Sequence, residues 1–451
     1  MTRNSYEKSN NIFLLGVVFI AVTNWLARGM FNVFLTPMLI LSLVLITILY
    51  LKNLDCLVIN EKSFLLASTL LFGITLLNPS LIYARNDLLT SIRSMQVFQC
   101  ILVAALVCTI SLYLMLSLKK INQPLFNKVG IAIIVIIILA HCLVLKISPF
   151  PIIDVYVVDS VGADFFLSGK NPYSQIYPDI YHGAMGYESG YTYWPFYLVC
   201  SVLPRLLGDI RILTVISTAL TVLFLILIAR KFGRITECLS AVVFLLALPG
   251  SYFITEQAWI DGLLLVILSF MSYCVLTHRW SMSAIALACF ISTKQYGVLA
   301  VLPTFIFWIR CLGLKKAINL SLCTAFTAII IFLPFLISDF DSFFKNSVKI
   351  LAILPQRFDS SSIPSLYKYF TGMEIQGNVL IASYLLIIAF FACLQWKSQQ
   401  LIRSWLMTIA FTYGWIFIMG KQAFANYHHF ALSVLIMSFA LPMGCIATKN
   451  H

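Results

Sequence analysis

Charged residues that interrupt long apolar stretches are where this chain can do chemistry. The segment Pro151-Ile-Ile-Asp154-Val-Tyr-Val-Val-Asp159-Ser-Val-Gly-Ala-Asp164 follows directly on an apolar run. A carboxylate at the edge of such a run is partly desolvated, which raises its pKa and suits a general base. The plainer alternative is that acids after an apolar run only solvate a loop. Downstream, Gly169-Lys-Asn171-Pro-Tyr173 marks a turn that fixes where the chain bends. Thr255-Glu256-Gln257-Ala-Trp259-Ile-Asp261 opens another apolar run. An acid entering a membrane helix is costly, and so a candidate for function, unless it is simply an acid placed well on a helix dipole. Ser292-Thr293-Lys294-Gln295-Tyr296 separates two further runs, and Gly420-Lys421-Gln422-Ala-Phe-Ala-Asn426-Tyr427-His428-His429 precedes the last. His428 alone reads as a packed boundary histidine. Lys294, Lys421 and His428, joined by Arg357, make an anion site if they converge. Asp339-Phe-Asp341 has the DxD form, but acids at i and i+2 are common by chance, and no metal role is assigned to them.

The elements that must position these groups follow from composition. Of 451 residues, 61% are hydrophobic and 10% charged, and the mean hydropathy is +0.95. A soluble domain carries about 45–50% apolar and about 25% charged residues. That excludes a soluble enzyme, a disordered chain, a collagen and a disulfide scaffold. An all-α polytopic membrane protein remains. The formal charge of +13 fits basic loops held on the cytoplasmic side, rather than a nucleic-acid partner. The 12 cysteines include no CxxC pair and lie mostly in apolar runs, which argues against a disulfide framework or a zinc site. Runs of about 20 apolar residues predict about 14 transmembrane helices, the shortest at 280–293 and the last at 422–448. The first run, from Ile12, has no small-residue cleavage site after it and reads as a retained span. Two long polar loops, 148–193 and 339–374, stand out, and long loops usually have a job. Basic residues place both termini in the cytoplasm and both long loops outside, provided that 194–208, interrupted by Pro204, does not cross the membrane. Asp154, Asp159, Glu256, Asp261, Lys294, Arg357, Lys421 and His428 then gather near one face.

These residues carry a resemblance. Asp154 after a span, the Gly169–Tyr173 turn and Tyr193-Trp-Pro195 are similar to the first external loop of the GT-C superfamily, membrane glycosyltransferases that use polyprenyl-phosphate sugars. The branch it most resembles is the polyprenyl-phosphate-mannose-dependent α-mannosyltransferases and their bacterial relatives. Gln257-x-x-x-Asp261, Lys294-Gln295-Tyr296 and Lys421 through Tyr427 are similar to later signatures of that group. The likeness covers roughly 129–446. It implies an N-terminal block of about four spans at 1–128 and a GT-C-like catalytic core at 129–451. Two departures matter: Val158 stands where the branch often has Tyr, and Asp159 adds a second acid, so the base is either Asp154 or Asp159.

The resulting expectation is an inverting hexosyltransferase in a bacterial plasma membrane. It would move a mannose-like sugar from a polyprenyl-phosphate donor to a lipid or glycan acceptor at the external face, with no cofactor and no metal. Asp154 or Asp159 would be the base, and Lys294, Lys421, His428 and Arg357 would hold the donor phosphate. The resemblance implies substrate contacts at Asn171, Tyr173, Glu256, Gln257, Asp261, Gln295, Gln422 and Tyr427. The alternative is a transporter or a lipid or sugar flippase, whose polar site lies nearer the bilayer midplane.

Overall fold

Away from water a helix satisfies its backbone N–H and C=O groups within one segment, and the described part of this chain is helical accordingly. The computed structural model describes residues 3–183, 190–350 and 354–442, with backbone only for 3–8. Five long helices come first: α1 (Arg3–Ala27), α2 (Leu35–Lys52), α3 (Glu61–Leu77), α4 (Leu89–Ser117) and α5 (Gln123–Ile147). Polar caps set several starts. Asn60 Oδ1 accepts from Ser63 N at 2.8 Å, and Asn122 Oδ1 from Leu125 N at 3.0 Å, with Pro124 in the first turn.

A pair of short helices follows, α6 (Asp154–Leu167) and α7 (Pro195–Leu206). Then come α8 (Ile212–Lys231), α9 (Ile235–Leu246), α10 (Ser251–Glu256), α11 (Asp261–Leu276), α12 (Trp280–Ile291), α13 (Val301–Leu312), α14 (Leu314–Ser338), α15 (Phe340–Phe344), α16 (Ile363–Thr371), α17 (Gly377–Lys397), α18 (Leu401–Ile418) and α19 (Ala425–Ala440). Among the described residues nine helical stretches are long and apolar enough to cross a membrane. The remaining expected runs are shorter: 12 residues each in α9 and α12, 16 each in α11 and α19, and 17 in α3. The run 238–255 is broken at Pro249-Gly250 into α9 and α10, as expected of a residue that removes a helical donor followed by one that disfavours helix. The end of the expected 422–448 span and Lys449 lie outside the described residues.

Hydrogen bonds between loops show which helix ends share a level. Arg211, just before α8, donates to Ser148 O at 2.7 Å, just after α5, so the chain returns through α6 and α7 to the level it left. At that level Trp194 N donates to Thr293 O at 3.2 Å and Arg357 N to Lys421 O at 2.8 Å. At the opposite level Lys231 Nζ donates to Leu276 O at 3.1 Å, Arg234 Nη1 to Leu441 O at 3.2 Å, and Asp55 accepts from Ser398 Oγ at 2.5 Å. The centre is α18, buried over 89% of its length, whereas α17 is buried over only 11% and presents Ile381, Leu385 and Leu386 outward. An apolar exterior of this kind suits lipid rather than water.

The hairpin of α1 and α2 is seated on the core around its turn. Asn24 Nδ2 donates to Ala425 O at 3.0 Å, Ser361 N to Gly29 O at 3.0 Å, and Phe31 N to Asp359 O at 2.7 Å. Gly29 has φ +70°, and a Cβ there would stand 1.9 Å from Ala425 N. Only glycine permits both that conformation and that approach.

Candidate functional site

Two interruptions of helix build the centre of the site. Between α9 and α11 the chain passes through α10 and then Ala258, which holds φ +57°, a conformation that costs free energy outside glycine and concentrates at functional sites. This break delivers Glu256, Gln257 and Asp261. Between α12 and α13 a short 3-10 turn over Gln295–Ala300 folds back on the end of α12. A Cβ on Gly297 would lie 2.6 Å from Phe290 O, so glycine is needed for that fold-back. This break delivers Lys294, Gln295 and Tyr296.

The two breaks meet in a buried ion pair. Lys294 Nζ lies 3.6 Å from Asp261 Oδ1, which also accepts from the Tyr296 hydroxyl. Asp261 Oδ2 accepts from Asn426 Nδ2 at 2.8 Å. Three tyrosine rings enclose the ammonium, with centroids at 4.7 Å (Tyr296), 4.9 Å (Tyr427) and 5.7 Å (Tyr193). Such cation–π contacts gain strength once desolvated.

The two acids of α6 sit differently. Asp154 opens its helix, with Oδ1 accepting from Val155 N at 2.8 Å and from the Tyr181 hydroxyl at 3.5 Å. Burial raises its pKa; its hydrogen bonds and the charge of Arg357 pull it back. Asp159 is fully buried. Its Oδ2 accepts from the Tyr197 hydroxyl at 2.8 Å, and its Oδ1 has no partner among the described residues. Burial holds its pKa well above the ordinary carboxylate value; the Tyr197 bond and Lys294 oppose this, and Asp154 adds to it. Tyr193 lies in the field of Asp159, Asp154 and Asp261. Asp154, Asp159, Asp261, Lys294 and Tyr427 therefore share one neighbourhood, with Arg357 within electrostatic reach of Asp154.

The other expected phosphate ligands have protein partners. Arg357 forms a fork to Asp359 at 2.8 and 2.6 Å and lies over the Phe424 ring at 5.0 Å. Lys421 Nζ donates to Leu354 O at 3.4 Å. Arg357 and Lys421 are joined through their backbones, which makes one basic patch. His428 is buried on α19, with Nε2 3.3 Å from Ser361 O.

Among the expected substrate contacts, Glu256 is a brace. It accepts from Ile82 N at 2.8 Å, Tyr83 N at 2.9 Å, Ser148 Oγ at 2.6 Å and Gln257 Nε2 at 3.2 Å. Asn171 caps Tyr173 N at 3.0 Å and donates to Ser338 Oγ at 3.2 Å. Tyr173 is buried and donates to Tyr193 O at 2.8 Å. Gln295 donates to Thr192 O and to Ser347 O, the latter at 2.9 Å. Gln422 is partly exposed beside Lys421. Asp339 caps α15 through Ser342 N at 3.0 Å and accepts from Ser174 Oγ at 2.7 Å. Among the described residues no group of three or more His, Cys, Asp or Glu side chains is placed to hold a metal.

Four groups were not among the expected site residues: Tyr193, Tyr197, Tyr296 and Asn426. Tyr296 and Asn426 sit in quoted segments close to a charge, which was their signal; Tyr193 was quoted only for the resemblance, and Tyr197 had no signal. Comparison with protein-family models, curated proteins and solved structures finds no match to this chain.

Proposed function

We propose that this protein is a membrane glycosyltransferase of GT-C type. It transfers a mannose-like hexose from a polyprenyl-phosphate donor to a lipid or glycan acceptor at one membrane face. On this reading the chain crosses the bilayer 14 times, the shorter helices spanning together with the breaks that follow them, and α6 and α7 lie at the external face. The contact between Arg211 and Ser148 supports that topology.

One observation carries the reading: a half-buried carboxylate, Asp154, lies within electrostatic reach of Arg357 and of Asp159, which Lys294 reaches in turn, at a single end of the helical bundle. Asp154 takes the acceptor hydroxyl proton as that oxygen attacks the anomeric carbon. The departing polyprenyl phosphate needs charge stabilisation more than a proton, and the basic groups supply it. General-base assistance is worth roughly 10²–10⁴ in rate. The test is transfer of radiolabelled sugar from polyprenyl phosphate in proteoliposomes, with Asp154→Asn as control. No transfer from any such donor by the wild-type protein overturns the reading.

A transporter or flippase is the second reading. The buried Lys294–Asp261 pair between two broken helices favours it. Counterflow of sugar or lipid across the same proteoliposomes without bond cleavage would select it.

A further inference from the structure

Beside Asp261 a cavity of about 60 Å³ lies between α5, α8, α9, α10, α11 and α19. Its lining includes His141, Thr221, Ser251, Asp261, His429 and Ser433. Four of these side chains carry a buried polar atom with no hydrogen-bond partner among the described residues: His141 Nε2, Thr221 Oγ1, Ser251 Oγ and Ser433 Oγ. Each of the four residues is at least nine-tenths buried, with 2%, 2%, 9% and 0% exposure. Buried polar groups in folded proteins are almost always paired, and four orphans around one space are not a scatter of local defects.

The ring of His141 is itself well held. Nδ1 bonds Thr255 Oγ1 at 2.8 Å, and the ring packs on Tyr252 at 4.6 Å between centroids. Thr255 Oγ1 also reaches Ser251 O at 3.2 Å. The imidazole is thus fixed in place while its second nitrogen has no partner among the described residues.

We infer that this cavity is a binding site for neutral hydroxyl groups, supplied by water or by a small polyol. A cation is disfavoured because both oxygens of Asp261 are already engaged by Lys294, Tyr296 and Asn426. An anion is disfavoured because, among the described residues, no lysine or arginine lines the space. An acyl chain would leave all four polar atoms unpaired. Hydroxyl groups both donate and accept, and so match a set made of three hydroxyls and one imidazole nitrogen. At roughly 10–15 Å³ per water on this measure, the space takes about four waters or one glycerol-sized molecule. The inference stands whether or not the protein is a transferase.

The test turns on the sign of a stability change. In nanodisc-embedded full-length protein, Thr221→Val keeps the side-chain shape and removes the hydroxyl. If that hydroxyl bonds an occupant, Tm falls by about 2 °C, and Ser433→Ala moves the same way. If the cavity is dry, removing an orphan hydroxyl leaves Tm unchanged or raises it, and the proposal fails. A density map of the wild-type protein in polyol-free buffer provides a check that needs no variant. Ordered density within hydrogen-bond distance of His141 Nε2 is expected; an empty cavity or continuous acyl-chain density overturns the assignment. Glycerol separates the two sources. A Tm rise larger in the wild type than in Thr221→Val assigns a polyol, and equal rises assign water.

Discussion

Asp261 and Lys294 face each other from two broken helices, 3.6 Å apart, with side chains 2% and 8% exposed. Each break alone would leave a buried charge without a counter-charge. Together they make a pair that is further satisfied by Tyr296, Asn426 and three aromatic rings.

Removing one partner of a buried ion pair strands the other. Lys294→Met and Asp261→Asn should each destabilise by about 3–5 kcal/mol. The double variant should cost clearly less than the sum of the two, because no uncompensated charge is left behind. Unfolding of the wild type and the three variants in the same detergent gives the double-mutant cycle. Simple additivity would show the pair to be energetically uncoupled.

Asp154→Asn keeps the shape of the side chain and cannot take a proton. Turnover in the sugar-transfer assay should drop by roughly 10² or more with donor affinity kept. Asp159→Asn should cost much less. Because burial raises the Asp154 pKa, the acid limb of kcat/KM should lie above the ordinary carboxylate value of about 4. Inactivity of Asp159→Asn with Asp154→Asn active would exchange their roles.

Asp159 also makes a prediction for stability. Its folded pKa is raised well above the unfolded value, so between the two values the folded state holds the extra proton. Stability is therefore fully present below about pH 4 and is lost as pH rises toward the folded pKa. Asp159→Asn should flatten that decline, giving a Tm less sensitive to pH than that of the wild type. Parallel Tm–pH curves for the two proteins would remove the carboxyl from the account.

Glu256→Ala should release the segment that Glu256 holds. It deprives Ile82 N, Tyr83 N and Ser148 of a charged acceptor, at a cost of about 3 kcal/mol or more. Faster amide hydrogen exchange over 80–86 is the specific readout. Glu256→Gln, which keeps a carbonyl oxygen, should lie between the wild type and Ala. A direct substrate contact would instead appear as a raised KM with exchange unchanged.

Gly29→Ala should unseat the first helical hairpin from the core, given the 1.9 Å approach to Ala425 N and the φ of +70°. A loss of at least ~2 kcal/mol is expected, seen as earlier aggregation in fluorescence-detected gel filtration after heating. Gly73→Ala, where no described residue outside its own helical backbone lies within 4 Å of the added carbon, is the matched control.

Lys294, Asp261 and Asp154 were legible in the sequence because a charge inside an apolar run is costly enough to need a reason. The break at Pro249-Gly250 was not read, since 238–255 passes as one apolar run. The lengths of the helices were less legible. An apolar run states that a segment avoids water, not where its helix stops, and α12 ends after 12 residues because 292–300 folds back on it. The role of Glu256 was hidden altogether: its partners include backbone groups 173 and 174 residues away, and a backbone N–H has no residue identity to read. The tyrosine cage was hidden for a related reason, since rings from Tyr193, Tyr296 and Tyr427 meet only after the helices pack. His428 shows the reverse. Its segment suggested an anion ligand, and the fold turns its Nε2 to the Ser361 carbonyl.

The bond from Asn24 to the Ala425 carbonyl spans 401 residues. At a synthesis rate of about 5–20 residues per second, the hairpin of α1 and α2 therefore waits roughly 20–80 s for its seat to emerge from the ribosome. During that interval Asn24, buried at 3% exposure in the finished protein, has no acceptor at Ala425. A hairpin made 401 residues ahead of its seat is thus locked late in the folding of this chain.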